Sequence, residues 1–134
     1  MNYRHAFHAG NHADVLKHIV LTRILTLMAA KQKPMAFLDA HAGIGKYDLM
    51  AVAAGKTLEW QTGIAKMAQP FVSPVEELLA PYRSVVDALN NSPAVLHYPG
   101  SPMFASAILG KGDRLFFNEL HPEDNAILKA NFQS

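Results

Sequence analysis

A glycine-containing loop at residues 40–48, with the sequence AHAGIGKYD, is the segment of the chain best suited to bind a small molecule. It follows an apolar stretch that ends in Asp39, and its two glycines, Gly43 and Gly45, can adopt positive φ and pass close to a bulky ligand. The loop lacks the G-x-x-x-x-G-K-S/T pattern of a phosphate-binding loop, because a tyrosine follows its lysine. It also lacks the third glycine of G-x-G-x-x-G, a position that Asp48 occupies. A tight turn without a ligand explains the same residues.

A second acid, Glu119, ends the apolar stretch DRLFFNE. A carboxylate at the end of a strand in a nucleotide-binding sheet can accept hydrogen bonds from both ribose hydroxyls. Taken alone, Glu119 is better explained as a solvated acid ahead of a helix that begins near Pro122. Together with the glycine loop, it favours a bound adenosine. Ser101, within YPGSP, is a candidate helix N-cap whose hydroxyl can also face a ligand.

Histidines are concentrated near the N-terminus, where His5, His8, His12 and His18 fall within fourteen residues, and His41 lies in the glycine loop. Imidazole is the commonest metal ligand in proteins, but the chain has no H-E-x-x-H motif, and no metal site is expected. Hydrogen bonding to a ligand, or simple packing, is the preferred interpretation. The neighbouring Lys17 could meet an anionic group such as a carboxylate, although its default interpretation is a solvated lysine.

Alternating helices and strands must position these residues. Asn11 is predicted to cap a helix over residues 12–31, whose apolar residues recur at helical spacing. Ser73 and Ser101, each followed by proline, are predicted to cap two further helices, the first of them kinked or divided at Pro81. The stretches MAFLD, AVLHY and DRLFFNE are predicted to be strands. This alternation indicates an α/β fold with a three-stranded parallel sheet, whose ligands bind beyond the carboxyl ends of the strands.

Length and composition restrict the class of protein. The 134 residues, 50% hydrophobic and 17% charged, indicate one soluble domain. The apolar stretch at 19–28 is interrupted by polar residues, so no membrane span is expected, and the histidine-rich N-terminus is unlike a secretory signal. The absence of cysteine agrees with a cytoplasmic protein. A net charge of +1 neither suggests nor excludes a nucleic-acid partner.

Four motifs, YRHAFHAGNHADVLKH, FLDAHAGIGKYDL, YPGSP and ELHP, follow one another along the chain. In their order and spacing the sequence resembles the RlmJ family of bacterial 23S ribosomal RNA adenine-N6 methyltransferases over essentially its whole length. The resemblance implies a Rossmann-like class I fold that depends on S-adenosylmethionine. Residues 1–134 would form the N-terminal part of one methyltransferase domain, with a small helical subdomain inserted at residues 48–93.

The resemblance also implies roles for individual residues. The cofactor pocket would be formed by Lys17, His18, His41, Gly43, Gly45, Ser101 and Glu119. His18 and His41 would contact the methionine end or nearby parts of the cofactor, Glu119 would hold the ribose hydroxyls, and Lys17 would lie near the carboxylate. The two glycines would let the loop pass beneath the cofactor. Tyr3 would act near the RNA substrate, which for this family is 23S ribosomal RNA.

The chain departs from the family in one respect, since it contains no Asp-Pro-Pro-Tyr type motif, the element that holds the adenine amine in this chemistry. We therefore expect the chain to be inactive by itself and, with an open sheet edge, to self-associate. Two other interpretations stay open. One is a binding module that keeps the adenosine pocket without catalysis. The other is a histidine-based metal hydrolase acting on nucleic acid, in line with the older description of some family members as proteins for use of external DNA.

Overall fold

The computed structural model describes residues 4–51, 56–92 and 94–133. Within these ranges the helices are α1 (His12–Ala29), α2 (Ser73–Asn90), α3 (Ser101–Ile108) and α4 (Pro122–Phe132). The strands are β1 (Ala36–Asp39), β2 (Lys46–Asp48), β3 (His97–Pro99) and β4 (Arg114–Phe117), and short 3-10 helices cover His5–Phe7, Glu59–Thr62 and Ile64–Ala68. Tyr3 lies outside the described residues, as do residues 52–55 and 93 of the predicted insertion.

The strand that ends at Asp39 pairs with the strand that ends two residues before Glu119. β1 and β4 are parallel, with Ala36 opposite Arg114 and Asp39 opposite Phe117. The pairing continues past the strands, because the Asn118 amide donates to the Asp39 carbonyl at 2.8 Å. The Asn118 carbonyl then accepts from the Ala42 amide at 2.9 Å. These bonds bring the glycine loop beside the segment that follows β4.

The predicted three-stranded parallel sheet is wrong. β3 does not join β1 and β4 but pairs with β2 in an antiparallel ladder, and β2 lies in a segment that was predicted to be loop. The physical reason is the pairing of Tyr47 with Tyr98, whose rings are both buried, at 4% and 0% exposure. Cross-strand aromatic pairs stabilise such ladders, and here both rings extend the hydrophobic core.

The helix starts follow the predictions only in part. The Asn11 side chain caps α1 by accepting from the Asp14 amide at 2.9 Å, which confirms the predicted cap. Ser73 and Ser101 are not caps, because each is the first helical residue, preceded at the cap position by Val72 and Gly100. α2 continues through Pro81 as a single helix, so a division at this proline is not found.

The hydrophobic core is formed by residues of α1, α2, α3, β2 and β3 and of segments adjoining them. Its buried members are Ala9, Val15, Tyr47, Leu49, Ile64, Tyr82, Val86, Tyr98 and Phe104. The parallel pair contributes little to this core, and one face of it exposes Leu38 and Phe116, which are opposite each other and 69% and 49% exposed. The helices found within the described residues are all too short or too polar to cross a bilayer.

Candidate functional site

A cavity of about 570 Å³ opens at the carboxyl ends of β1 and β4. This volume falls in the range of roughly 300–1,000 Å³ that is usual for small-molecule sites. Six of the seven residues that were predicted to form a pocket line it together: Lys17, His18, His41, Gly43, Ser101 and Glu119. They come from α1, from the glycine loop, from the start of α3 and from the segment after β4. Residues that are distant in the sequence therefore meet around one cavity.

Glu119 uses both carboxylate oxygens to join the chain after β4 to the glycine loop. Its Oε2 accepts from the Gly43 amide at 2.9 Å, and its Oε1 accepts from the His121 amide at 2.8 Å. A carboxylate has about four acceptor positions, so each oxygen retains capacity for one further donor. Glu119 therefore holds the loop and can still accept hydrogen bonds from a ligand.

Asp39 makes an equivalent connection between β1 and α3. Its Oδ2 accepts from the Ser101 hydroxyl at 2.5 Å, and its Oδ1 accepts from the His41 amide at 3.0 Å. The Ser101 hydroxyl is thus used to fix the first turn of α3 against the end of β1. His41 is anchored through its backbone, and its exposed side chain lines the cavity.

The two glycines of the loop have different surroundings. Gly43 borders the cavity at φ +61°, and a Cβ placed there would collide with the Tyr47 hydroxyl. Gly45, at φ +81°, does not border the cavity but packs against α4, where a Cβ would approach the Phe132 ring to 2.7 Å. Its carbonyl accepts from the Gly100 amide at 2.8 Å. Both positions require glycine, but only Gly43 faces the space where a ligand would lie.

His18 is 1% exposed and borders the cavity from α1. Its Nδ1 is 3.0 Å from the Tyr98 hydroxyl, and its ring packs 4.8 Å from the Phe104 ring. Its Nε2 has no hydrogen-bond partner within the described part of the chain. Burial, helped by the charge of Lys17, lowers the pKa of His18 to about 3, so the ring is neutral at pH 7.

Asp14 is a site residue that the sequence interpretation treated only as a first-turn charge. It is 2% exposed and accepts hydrogen bonds from Lys17 Nζ at 2.7 Å, from His5 Nε2 at 2.8 Å and from the Gly10 amide at 3.1 Å. Burial by itself raises the pKa of this carboxyl, but the bonds and charges of His5 and Lys17 outweigh burial and lower it below its ordinary value. Asp14 therefore fixes both side chains at the cavity wall.

The segment before α1 was also missed. Arg4 donates to Asp124 at 2.8 Å and to Glu123 at 3.0 Å, which joins the N-terminal segment to the first turn of α4. His5 and Asp124 both line the cavity. The i, i+3 spacing of Asp14 and Lys17 was visible in the sequence, whereas nothing in it indicated that Arg4 meets α4.

The histidine cluster is not arranged around a metal. Across residues 4–51, 56–92 and 94–133, no group of three or more His, Asp or Glu side chains could hold a metal ion. His8 Nδ1 lies 3.0 Å from Glu59 Oε1, and His5 and His18 make the contacts already given.

Comparisons of the sequence with protein families and with known proteins identify relatives of this chain. The family model described as Ribosomal RNA large subunit methyltransferase D, RlmJ, matches residues 32–134. The chain is 45% identical to Ribosomal RNA large subunit methyltransferase J of Escherichia coli, over 99% of this chain and 47% of that protein. It is 43% identical to the protein of the same name from Haemophilus influenzae, over 98% of this chain and 47% of that protein.

A solved structure shows that the fold is shared as well. The crystal structure of a Legionella pneumophila protein superposes with a TM-score of 0.76 at 38% identity, covering 90% of this chain and 43% of that one. The chain thus spans about half the length of the curated relatives, their N-terminal half. From the family match and these identities, the chain belongs to the RlmJ family of ribosomal RNA large subunit methyltransferases.

Proposed function

We propose that this chain supplies the S-adenosylmethionine-binding half of an enzyme that methylates the exocyclic N6 of an adenine in 23S ribosomal RNA. The observation that carries the proposal is the cavity at the ends of β1 and β4, which gathers six of the seven expected residues. In this proposal the parallel pair is the first part of a Rossmann-like sheet, and residues 48–93 are a helical subdomain inserted into it.

The residues around the cavity fit the proposed cofactor. Glu119 has acceptor capacity left for the ribose hydroxyls. Lys17 carries a positive charge at the wall, and the adjacent His18 has a buried nitrogen without a partner in the described residues, so both suit the carboxylate of the cofactor. Gly43 borders the cavity with its backbone, and the position that a Cβ would take is filled by the Tyr47 hydroxyl. His41 and Ser101 complete the wall.

When bound, S-adenosylmethionine supplies a methyl group on a sulfonium centre. The residues of this chain bind and orient that group, and positioning of the reactants accounts for much of such a reaction. The chain contains no Asp-Pro-Pro-Tyr type motif to hold the adenine amine. We therefore expect no methylation of RNA by this chain alone, and methylation when a second polypeptide supplies that motif.

The remaining parts of the proposal concern partners. We propose that Tyr3 acts near the RNA substrate, and a ribosomal RNA substrate implies a cytoplasmic location. Within the described residues, β1 and β4 have only each other as neighbours in their sheet, and Leu38 and Phe116 are exposed on one face. An open pair with an apolar face favours association with another chain, and we propose that isolated copies self-associate through it.

Calorimetric titration with S-adenosylhomocysteine tests the cofactor site. We expect the chain to bind, and Glu119→Ala to weaken binding about tenfold or more, because hydrogen bonds to a charged acceptor are lost. Glu119→Gln keeps one acceptor oxygen and should lie between the two. Glu77→Ala, at an exposed position of α2, is the matched control and should bind like the unchanged chain. A well-folded chain that shows no binding, or equal binding by all four proteins, would contradict the proposal.

A binding module without catalysis is the second candidate, because the residues around the cavity could hold a cofactor without taking part in catalysis. Mixing this chain with a polypeptide that carries the Asp-Pro-Pro-Tyr motif separates the two candidates. Methyl transfer to a ribosomal RNA fragment only in the mixture supports the half-enzyme. Cofactor binding without transfer in any mixture, although the two chains form a complex, supports the binding module.

A further inference from the structure

We propose that Tyr98, itself oriented by Tyr82, holds His18 in the tautomer with its hydrogen on Nε2, so that the neutral ring presents one hydrogen-bond donor to an oxygen atom of the bound ligand. This inference rests on the proposed cofactor site and deepens it. It assigns a positioning role to two tyrosines that lie outside the residues lining the cavity.

The three side chains form a continuous buried chain of hydrogen bonds. Tyr98 Oη is 3.0 Å from His18 Nδ1 and 3.3 Å from Tyr82 Oη. His18 and Tyr82 are each 1% exposed, and Tyr98 is 0% exposed. Because the Tyr98 hydroxyl carries a single hydrogen, it can donate to His18 or to Tyr82 but not to both. The direction of the chain therefore fixes the tautomer of His18.

The two directions differ in where they leave an unused hydrogen. If Tyr98 donates to Nδ1, Tyr82 can donate to Tyr98, and the unused donor is Nε2–H of His18. If instead Nδ1–H donates to Tyr98 and Tyr98 donates to Tyr82, the unused donor is the Tyr82 hydroxyl. Within the described residues Tyr98 is the hydrogen-bond partner found for that hydroxyl, so its hydrogen would be left unpaired in the core.

The first direction is favoured because of where the unpaired donor lies. An unsatisfied donor inside a core is costly, whereas one beside a cavity can be satisfied by a ligand. His18 borders the cavity and its Nδ1 is occupied by Tyr98, so Nε2, a buried atom of this cavity-lining side chain, is the nitrogen left for a ligand. The atom has no partner in the described part of the chain, as expected of a donor reserved for another molecule.

Aromatic packing fixes the orientation of the ring. His18 lies 4.8 Å from the Phe104 ring at an interplanar angle of 34°, and Phe104 in turn stacks on Tyr82 at 5.4 Å and 14°. Phe104 therefore contacts both ends of the hydrogen-bonded chain. A ring held in this way cannot turn over to exchange its two nitrogens without moving buried neighbours. Oxygen is the acceptor expected in the ligand, and the carboxylate of an amino-acid group matches a neutral donor next to Lys17.

The test is long-range ¹H–¹⁵N correlation NMR of the histidine-labelled chain, with His18→Asn used to assign the resonances. We expect a protonated Nε2 and an unprotonated, hydrogen-bond-accepting Nδ1 in the unchanged chain. Tyr98→Phe removes the hydroxyl but keeps the ring, and it should produce mixed tautomers and weaken binding of S-adenosylhomocysteine about three- to tenfold. Tyr82→Phe should shift the same resonances to a smaller extent. A merely structural role of the tyrosines would leave the tautomer unchanged.

The outcomes separate this inference from the function on which it rests. An Nδ1-protonated His18 in a chain that binds S-adenosylhomocysteine overturns the tautomer assignment alone. If His18 is protonated on Nε2 but the folded chain does not bind S-adenosylhomocysteine, the proposed function is wrong. The ligand proposed to accept from Nε2–H is then wrong as well. If Tyr98→Phe does not fold, the spectrum of the unchanged chain and that of Tyr82→Phe still decide the tautomer.

Discussion

Glu119 accepts a hydrogen bond from the Gly43 amide at 2.9 Å, although the two residues are 76 positions apart in the sequence. The bond joins an acid two residues after β4 to the loop that follows β1. Each residue was interpreted from the sequence as a ligand contact of its own. In the structure each also holds the other, so a substitution at either one changes both the wall of the cavity and its shape.

Gly43→Ala is expected to destabilise the chain by about 1 to 3 kcal/mol, because alanine is strained at φ +61° and its Cβ collides with the Tyr47 hydroxyl. Urea unfolding measures the change. Gly112→Ala is the control, since a Cβ there meets nothing within 4 Å, and it should change stability little. Adding Tyr47→Phe to Gly43→Ala removes the collision but not the strain, so only part of the loss should be recovered. Equal stability of the Gly43 and Gly112 variants would contradict this prediction.

Asp14→Asn is expected to cost about 3 kcal/mol at pH 7, because it removes the charge that pairs with His5 and Lys17 at a buried position. The folded-state pKa of Asp14 is lowered, so its stabilising effect is complete above its unfolded value of about 3.8 and is lost as the pH falls below that value. The difference in unfolding free energy between the two proteins should therefore be smaller at pH 3 than at pH 6. Asp87→Asn, on the exposed side of α2, is the control. A difference that stays constant with pH would show that Asp14 is not the charged anchor.

His18 should make the chain less stable as the pH falls from about 6.5 toward 3. Its pKa is lowered from 6.5 to about 3 on folding, so between these values the unfolded chain binds a proton that the folded chain does not. His18→Gln should reduce the slope of unfolding free energy against pH in that interval. His12→Gln, at an exposed position of the same helix, is the matched control. If both variants keep the slope of the unchanged chain, His18 is not the group responsible.

Leu38→Lys combined with Phe116→Lys should reduce self-association, because the pair is exposed on one face of the open parallel ladder and charge disfavours edge pairing. Sedimentation velocity over a range of concentrations measures the effect. Val72→Lys replaces a residue that is 71% exposed elsewhere on the molecule and serves as the control. If the sedimentation coefficient depends on concentration in the same way for the double variant and the control, the chain self-associates through another surface.

The sequence was sufficient for features that depend on neighbours in the chain. The Asn11 cap and the strands at Ala36–Asp39 and Arg114–Phe117 were predicted, because capping and apolar runs are local signals. β2 was missed because it has three residues, Lys46–Asp48, and forms only where Tyr47 meets Tyr98 from a distant part of the chain. Ser101 shows the same limit, since its hydroxyl bonds Asp39 across 62 positions instead of capping its own helix.

The site was predictable to a similar extent. Residue types next to strand ends indicated His41, Gly43, Ser101 and Glu119, whereas Lys17 and His18 were candidates from the predicted first helix. The chain of His18, Tyr98 and Tyr82 was not visible, because its members come from three separate elements and only packing brings their polar atoms together. The same holds for Arg4 and Asp124, which are 120 positions apart.

The placement of the core has a consequence for hydrogen exchange. The buried cluster is built from α1, α2, α3 and the antiparallel pair, whereas the parallel pair is covered on one face only. Amide hydrogens of α1, α2, α3 and the antiparallel pair should exchange with solvent only by global unfolding. Those of β1 and β4 should exchange by local unfolding, which costs less free energy. The cavity lies where these two regions meet, with His18 on the slowly exchanging side and Glu119 on the other. A ligand that touches both would slow exchange in the parallel pair and so extend the cooperative unit across the site.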